Sequence, residues 1–165
     1  MHSSAYADAA LFVENYLMES AELSIADVGS YDVNGTLKPL LSKPNWKYTG
    51  LDISAGPNVD VVLASPYIYP ISHHGKYDVV VSTQCAEHVP EIWNWIGAVA
   101  SLCRPGGLVY ISTPNTIGYH AYPLDCWRIW PDGMKALMAH AGLYVVQCYA
   151  RGIDTTGIAR KLDRA

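Results

Sequence analysis

Two spacings of apolar residues alternate along the chain. Short runs rich in valine, isoleucine and leucine are typical of buried strands, whereas apolar residues three or four positions apart indicate helices. The run Val79-Val80-Val81 is β-branched throughout, which is typical of a strand covered on both faces of a parallel sheet. This pattern predicts strands at residues 23–28, 47–52, 58–63, 76–83, 108–112 and 143–149, and helices at residues 6–18, 90–103 and 131–141.

Alternating strands and helices predict an α/β fold, a doubly wound and mostly parallel sheet of the Rossmann-like kind. The length of 165 residues fits a single domain over residues 1–165. The tail, residues 150–165, is polar and weakly patterned. It supplies either a poor final strand or none, so we expect a sheet truncated at its C-terminal hairpin. An open apolar edge would favour a homodimer.

Composition narrows the classes of partner. The net charge of −4 offers no general attraction to a phosphate backbone, so a nucleic-acid partner is disfavoured. No apolar run approaches the roughly 20 residues that span a bilayer, and acidic residues near the N-terminus argue against a signal peptide. The four cysteines form no CxxC pair, and His73 and His74 lack evident partners, so no metal is expected. We expect a soluble, cytoplasmic protein.

The loop after the first predicted strand begins at Gly29, where glycine permits a close turn of the backbone towards a ligand. A dinucleotide fingerprint needs further glycines at its third and sixth positions, which Tyr31 and Asn34 occupy here. A nicotinamide oxidoreductase is therefore disfavoured. After the second strand, Asp52 is placed to accept hydrogen bonds from a ribose diol, and Ile53 to cover an adenine ring.

Four segments, in this order and at this spacing, resemble the class I S-adenosylmethionine-dependent methyltransferases. The likeness covers roughly residues 25–146. The first loop departs from the three glycines of many relatives, since it keeps only Gly29 and Gly35. The matching segments are Asp27-Val28-Gly29, Gly50-Leu51-Asp52-Ile53, Tyr77-Asp78-Val79-Val80-Val81-Ser82 with Ala86-Glu87-His88-Val89, and Leu102-Cys103-Arg104-Pro105-Gly106-Gly107-Leu108.

The resemblance implies S-adenosylmethionine as cofactor, with S-adenosylhomocysteine as its product. It also implies cofactor contacts along the loops that follow the strands. Asp27 could equally brace its own loop, and His88, with Glu87, could equally form a network at the entry of the next helix. The candidate cofactor-binding residues are Asp27, Gly29, Ser30, Tyr31, Asp52, Ile53, Ser65, Tyr67, Gln84 and His88.

Residues 118–128 form a long aromatic segment that follows the fifth strand and should overhang the methyl donor. It brings His120, Asp125 and Arg128 close together in sequence. His120 is the candidate general base, because an imidazole titrates near neutral pH. Asp125 could orient it or act as the base itself, and Arg128 could hold an anionic group of the substrate. The alternative is an aromatic lid in which Asp125 and Arg128 pair with each other.

The resemblance implies methyl transfer, and because the chain has no inserted recognition domain we expect a small-molecule acceptor, methylated at the oxygen of a sugar or another metabolite. Methylation of base amino groups is disfavoured, because Ser82-Thr83-Gln84-Cys85 stands where an Asn-Pro-Pro-Tyr type motif would follow the fourth strand. The altered glycine pattern leaves one alternative open, a catalytically inactive module that binds S-adenosylmethionine.

Overall fold

Seven strands form one sheet in the computed structural model, which describes residues 3–162. The spatial order of the strands is β3-β2-β1-β4-β5-β7-β6. Short 3₁₀ turns occupy Ile71–His73 and Ala86–His88. The strands are β1 Leu23–Val28, β2 Trp46–Asp52, β3 Val61–Val62, β4 Tyr77–Thr83, β5 Cys103–Pro114, β6 Leu143–Arg151 and β7 Asp154–Lys161, and the helices are α1 Ser3–Tyr16, α2 Lys38–Leu41, α3 Ile92–Leu102 and α4 Pro131–His140.

Strands β1 to β5 are parallel to one another, and β1 lies between β2 and β4. The winding direction therefore reverses between β1 and β4. In open α/β sheets, ligands bind outside the carboxyl ends of the strands at such a reversal. The doubly wound, mostly parallel sheet predicted from the sequence is confirmed, and it places the loops after β1 and β4 side by side.

Apolar layers cover both faces of the sheet. On one face, Val80 packs with Trp95 of α3 and Met138 of α4, and on the other Val79 packs with Phe12 of α1. The continuous valine run therefore alternates between the two layers. Each large side chain that is fully buried, such as Trp95, contributes about 1.5–3 kcal/mol. The two layers fix the sheet rigidly beneath its ligand-binding edge.

The C-terminal hairpin is complete, so the expected truncation is wrong. β7 inserts antiparallel between β5 and β6, and Asp154 to Ala159 are buried. The sequence of this strand is polar, but its threonines can be buried because their hydroxyls form hydrogen bonds inside the protein. Thr156 Oγ1, for example, donates to Asp8 Oδ2 at 3.3 Å. The outer strand on this side is β6, and the truncated edge that favoured a homodimer does not exist. Residues 163–165 of the predicted tail lie outside the described residues.

Some observed strands and helices are shorter than the sequence predicted. The strand predicted at residues 58–63 shortens to β3, since Asn58 has a positive φ of 68° and the Asp60 carboxylate accepts from Gly50 N at 2.8 Å. The helix predicted from Pro90 begins at Ile92. Within residues 3–162, no helix combines the length and apolar character needed to cross a membrane.

Candidate active site

The loop after β1 approaches the β4 side so closely that only glycine fits at its start. Gly29 has a φ of +79°, and a Cβ there would lie 2.8 Å from both Cβ and Sγ of Cys85. Its N–H donates to Leu51 O at 2.9 Å, which fixes the turn against β2. The next residue, Ser30, is buried, and its Oγ has no hydrogen-bond partner among the described residues. The loop thus offers an open backbone and an unused hydroxyl.

Asp27 is a buried carboxyl group at the end of β1. It is 4% exposed and accepts a hydrogen bond of 2.9 Å from the Tyr48 hydroxyl. Burial raises the pKa of Asp27 to about 7, against the opposing effect of the Tyr48 bond; the nearby Asp52 charge raises it further. A cation, or another hydrogen-bond donor besides Tyr48, would favour the ionised form of Asp27.

Asp52 ties the loops after β1 and β2 together. Its Oδ2 accepts from Tyr31 N at 3.1 Å and its Oδ1 from Ser54 N at 2.9 Å. Each carboxylate oxygen has a further lone pair, so the group remains able to accept from hydroxyls. Ile53 beside it is half exposed, as an adenine-covering residue must be. The Tyr31 ring itself lies against Gly56, where a Cβ would come within 2.1 Å of it.

Ser65 and Tyr67 form a turn that leads towards α3. Ser65 Oγ accepts from Tyr67 N at 3.2 Å, and the Tyr67 hydroxyl accepts from Glu91 N at 3.1 Å. Tyr67 also lines a cavity of about 400 Å³ with His74 and Asn94. Its hydroxyl therefore bonds to the residue before α3.

Gln84 turns towards the opposite face of the sheet. It has a positive φ of 52°, and its Nε2 donates to Asp154 Oδ1 at 3.0 Å. The other Asp154 oxygen accepts from Ser4 Oγ of α1 at 2.5 Å. The Gln84 Oε1 atom is buried without a hydrogen-bond partner in the described part of the chain. Gln84 thus links the end of β4 to α1 and β7.

A carboxylate–histidine cluster, formed by the buried Glu87 and the partly exposed His88 and His120, stands on the other face. Glu87 is fully buried; its Oε2 accepts from Thr113 Oγ1 at 3.0 Å. Its Oε1 has no hydrogen-bond partner within residues 3–162 and lies 3.6 Å from His88 Nε2 and 4.0 Å from His120 Nε2. Burial raises the pKa of Glu87 to about 7, although Thr113 and the charges of His120 and Arg128 oppose this.

The segment of residues 118–128, here called the lid, is fastened to the turn that carries Glu87. Glu87 O accepts from Cys126 N at 2.7 Å, and the Trp127 Nε1–H donates to Val89 O at 2.8 Å. His88 Nδ1 lies 2.6 Å from Leu124 O. These bonds hold His120 above Glu87, which sequence reasoning placed only in a general pocket. The sequence signal for this contact was the Glu87-His88 pair in the turn after β4, together with His120 in the segment after β5.

Asp125 and Arg128 pair within the lid, as the alternative interpretation of the sequence has it. The pair is bidentate, with distances of 2.6 and 2.7 Å, and Arg128 holds the pKa of Asp125 far below its usual range. Asp125 Oδ2 also accepts from His120 N at 2.6 Å. The remaining Arg128 N–H groups donate to carbonyls of Ile117, Gly118 and Trp127, so all five are engaged. In this arrangement Arg128 offers no free donor to an anion.

Unpaired polar atoms concentrate at this edge of the sheet. A buried polar atom without a partner costs about 1–3 kcal/mol, so each such atom is a candidate contact for a ligand. Seven buried side-chain atoms lack partners within the described residues, and four of them lie in the loops after β1, β4 and β5. These four are Ser30 Oγ, Gln84 Oε1, Glu87 Oε1 and Asn115 Oδ1.

Comparisons with known proteins agree with this architecture. The chain is similar to a ubiquinone biosynthesis O-methyltransferase of Pectobacterium atrosepticum, with 32% identity over 117 residues that cover 61% of this chain and 48% of that protein. The chain therefore spans about half the length of this relative. Among solved structures, a Burkholderia thailandensis 1,6-didemethyltoxoflavin-N1-methyltransferase superposes with a TM-score of 0.75 at 18% identity, covering 97% of this chain and 79% of that one.

A methyltransferase of Aquifex aeolicus, described as dependent on S-adenosylmethionine, superposes with a TM-score of 0.71 at 14% identity, over 93% of this chain and 89% of that one. At such identities the superpositions establish the fold. The family described as "Methyltransferase domain" matches residues 9–147, which is most of the chain. The match includes β1 to β5 and the first part of β6. With this match and the open, doubly wound sheet, the chain belongs to the class I S-adenosylmethionine-dependent methyltransferases.

Proposed function

We propose that this chain methylates a hydroxyl oxygen of a small molecule bound between the lid and the carboxyl ends of β4 and β5. The observation that carries this proposal is the cluster of the buried Glu87 with His88 and His120, in the turn after β4 and the lid. An oxygen acceptor must lose a proton, and a histidine next to a carboxylate is suited to take it.

The residues present fit the cofactor. The glycine-only approach at Gly29 and the unpartnered Ser30 Oγ leave room and a hydrogen-bonding group for its amino acid end, near Asp27. Asp52 retains lone pairs for ribose hydroxyls, and the exposed Ile53 side chain can cover the adenine. When bound, S-adenosylmethionine supplies a methyl group already activated by its sulfonium charge. The chain therefore has to orient the acceptor and exclude water.

On the acceptor side, His120 receives the hydroxyl proton at Nε2, and Glu87 stabilises the resulting imidazolium from 4.0 Å away. Asp125 and Arg128 act indirectly, since their pair and the bond from His120 N to Asp125 hold the lid in place. Methylation at oxygen is supported by the names of relatives such as the Pectobacterium atrosepticum protein, of which the chain covers 48%. A small acceptor agrees with the Burkholderia thailandensis neighbour, whose own acceptor is 1,6-didemethyltoxoflavin.

The first test is calorimetric titration with S-adenosylmethionine and with S-adenosylhomocysteine. We expect saturable binding that weakens at least tenfold in Asp52→Ala and is unchanged in Asp132→Ala, a matched control whose side chain is 98% exposed on α4. Well-folded protein that binds neither compound would contradict the proposal.

The second test screens hydroxylated small molecules with a labelled methyl donor. For an acceptor found in this way, His120→Ala should lower kcat at least a hundredfold, the usual size of general-base catalysis, while the affinity for S-adenosylhomocysteine stays within about twofold. Equal losses of turnover and cofactor affinity would refute the assignment of the base. Cofactor binding without methyl loss on any acceptor would favour a binding module instead.

A further inference from the structure

The cluster of Glu87, His88 and His120 has the composition and convergence of a metal site. One ligand atom from each residue lies within 4.8 Å of the other two. The carboxylate atom, Glu87 Oε1, belongs to a fully buried side chain and has no hydrogen-bond partner among residues 3–162. An unpaired oxygen of a buried carboxylate is costly unless a cation or a donor faces it. The ionisable nitrogens that face Glu87 Oε1 are those of two imidazoles, His88 Nε2 and His120 Nε2.

The hydrogen bonds around the cluster orient its ligand atoms inwards. His88 Nδ1 lies 2.6 Å from Leu124 O, and because a carbonyl only accepts, this nitrogen carries the proton. A neutral His88 ring therefore presents a lone pair at Nε2, towards Glu87. Metal-binding histidines usually donate their other N–H to a backbone carbonyl in this way, and ligating carboxylates are likewise held by a hydrogen bond. For Glu87 that bond comes from Thr113 Oγ1 at 3.0 Å.

The third ligand, His120, comes from the lid. The His120 side chain is 36% exposed, and its ring meets the His88 ring edge-on at 5.2 Å between centroids. Bonds of about 2.0–2.2 Å to a cation require the three atoms to draw closer together. Glu87 is fully buried, whereas the partly exposed His120 side chain has room to turn, so rotation of His120 makes most of this adjustment. Binding would then add a further link between the lid and the turn that carries Glu87.

We propose that Glu87, His88 and His120 bind one divalent transition-metal cation, with coordination positions left open towards the crevice. Two imidazoles and one carboxylate suit zinc, cobalt, manganese or iron rather than magnesium or calcium, which prefer oxygen ligands. Binding of the cation does not depend on the acceptor. The effect of the cation on methyl transfer rests on the proposed function. A cation at this position would bind the acceptor oxygen and lower the pKa of its hydroxyl, while His120 serves as a ligand instead of a base.

The test uses Co²⁺ alone, added to chelator-treated protein that carries no histidine tag. We expect saturable visible absorption bands at one Co²⁺ per chain, and displacement of the Co²⁺ by Zn²⁺. Glu87→Gln, His88→Ala and His120→Ala should each weaken binding at least tenfold. His140→Ala is the matched control, because His140 ends α4 and its ring contacts Trp93 rather than the cluster. Circular dichroism and thermal melting check that every variant folds.

The outcomes separate this proposal from the proposed function. Absence of the Co²⁺ bands in the folded wild-type chain, or binding of unchanged strength in the three variants, overturns the metal site. Either result leaves methyl transfer with His120 as base intact, provided that S-adenosylhomocysteine still binds. Conversely, one Co²⁺ per chain that is lost in all three variants establishes the metal site, even if no acceptor is ever methylated.

Discussion

Replacing Asp27 by asparagine should change how the stability of the cofactor-free protein depends on pH. Asp27 is 4% exposed, and burial raises its pKa from about 3.8 in the unfolded chain to about 7 in the folded one. Because the folded value is the higher one, the favourable contribution of the protonated group is complete below pH 4. It is lost as the pH rises through 7. The asparagine side chain keeps an oxygen for the Tyr48 hydroxyl but cannot ionise.

The size of the effect follows from the two pKa values of Asp27, about 3.8 and about 7. Each tenfold change in proton affinity is worth about 1.4 kcal/mol, so the full difference is about 4 kcal/mol. Roughly 2–3 kcal/mol of it falls between pH 5 and pH 8, because part of the loss occurs below pH 5. That is a large share of the 5–15 kcal/mol that stabilises a typical domain.

Urea unfolding of Asp27→Asn and the wild type, followed by the fluorescence of the five tryptophans, measures this difference. The free energy of unfolding of the wild type should fall relative to Asp27→Asn by 2–3 kcal/mol from pH 5 to pH 8. Asp132→Asn, which alters an exposed acid, should track the wild type. A gap between wild type and Asp27→Asn that stays constant within about 0.5 kcal/mol would show that Asp27 ionises at its ordinary pKa. The argument from burial would then fail.

Two further substitutions test the loop after β1 and the lid. Gly29→Ala places a methyl group 2.8 Å from Cys85 at a φ of +79°, whereas Gly75→Ala has a similar φ of +63° with nothing within 4 Å. Both should lose about 1 kcal/mol of stability from backbone strain, and Gly29→Ala should lose more because of its clash with Cys85. Only Gly29→Ala should also lose most of its affinity for S-adenosylhomocysteine in calorimetry. Arg128→Lys removes the bidentate bond to Asp125, and we expect faster proteolysis within the lid, with S-adenosylhomocysteine affinity kept within about twofold. Unchanged cleavage of the lid would show that the pair does not hold it.

The central strands were predictable because β1 and β2 end close to turn-forming residues and β4 contains the continuous run Val79-Val80-Val81. β1 has the predicted bounds, and β2 and β4 differ by one residue at one end. β7 was missed because its buried side chains include Thr155 and Thr156, whose partners come from distant parts of the chain. Polarity alone cannot distinguish an exposed strand from one whose polar groups are paired internally.

The pairing of the candidate site residues could not be predicted from the sequence. The sequence placed His120, Asp125 and Arg128 on one segment, yet left open whether Asp125 pairs with Arg128 or orients His120. The structure shows the Arg128 pair, together with a bond to the His120 backbone. The contact of His120 with Glu87 joins residues 33 positions apart in the sequence. Such contacts depend on the tertiary course of the lid, which local patterns do not contain.

The bonds between α1 and β7 have a kinetic consequence. Ser4 and Asp154 are 150 positions apart, and Asp8 and Thr156 are 148 apart, so these bonds close nearly the longest loop the described chain allows. Contacts of such long range slow folding, and we expect them to form after the parallel strands. Asp154 also binds Gln84, so the last step of folding would complete one wall of the crevice. Pulsed hydrogen exchange should then show the amides of β7 protected later than those of β1 and β4.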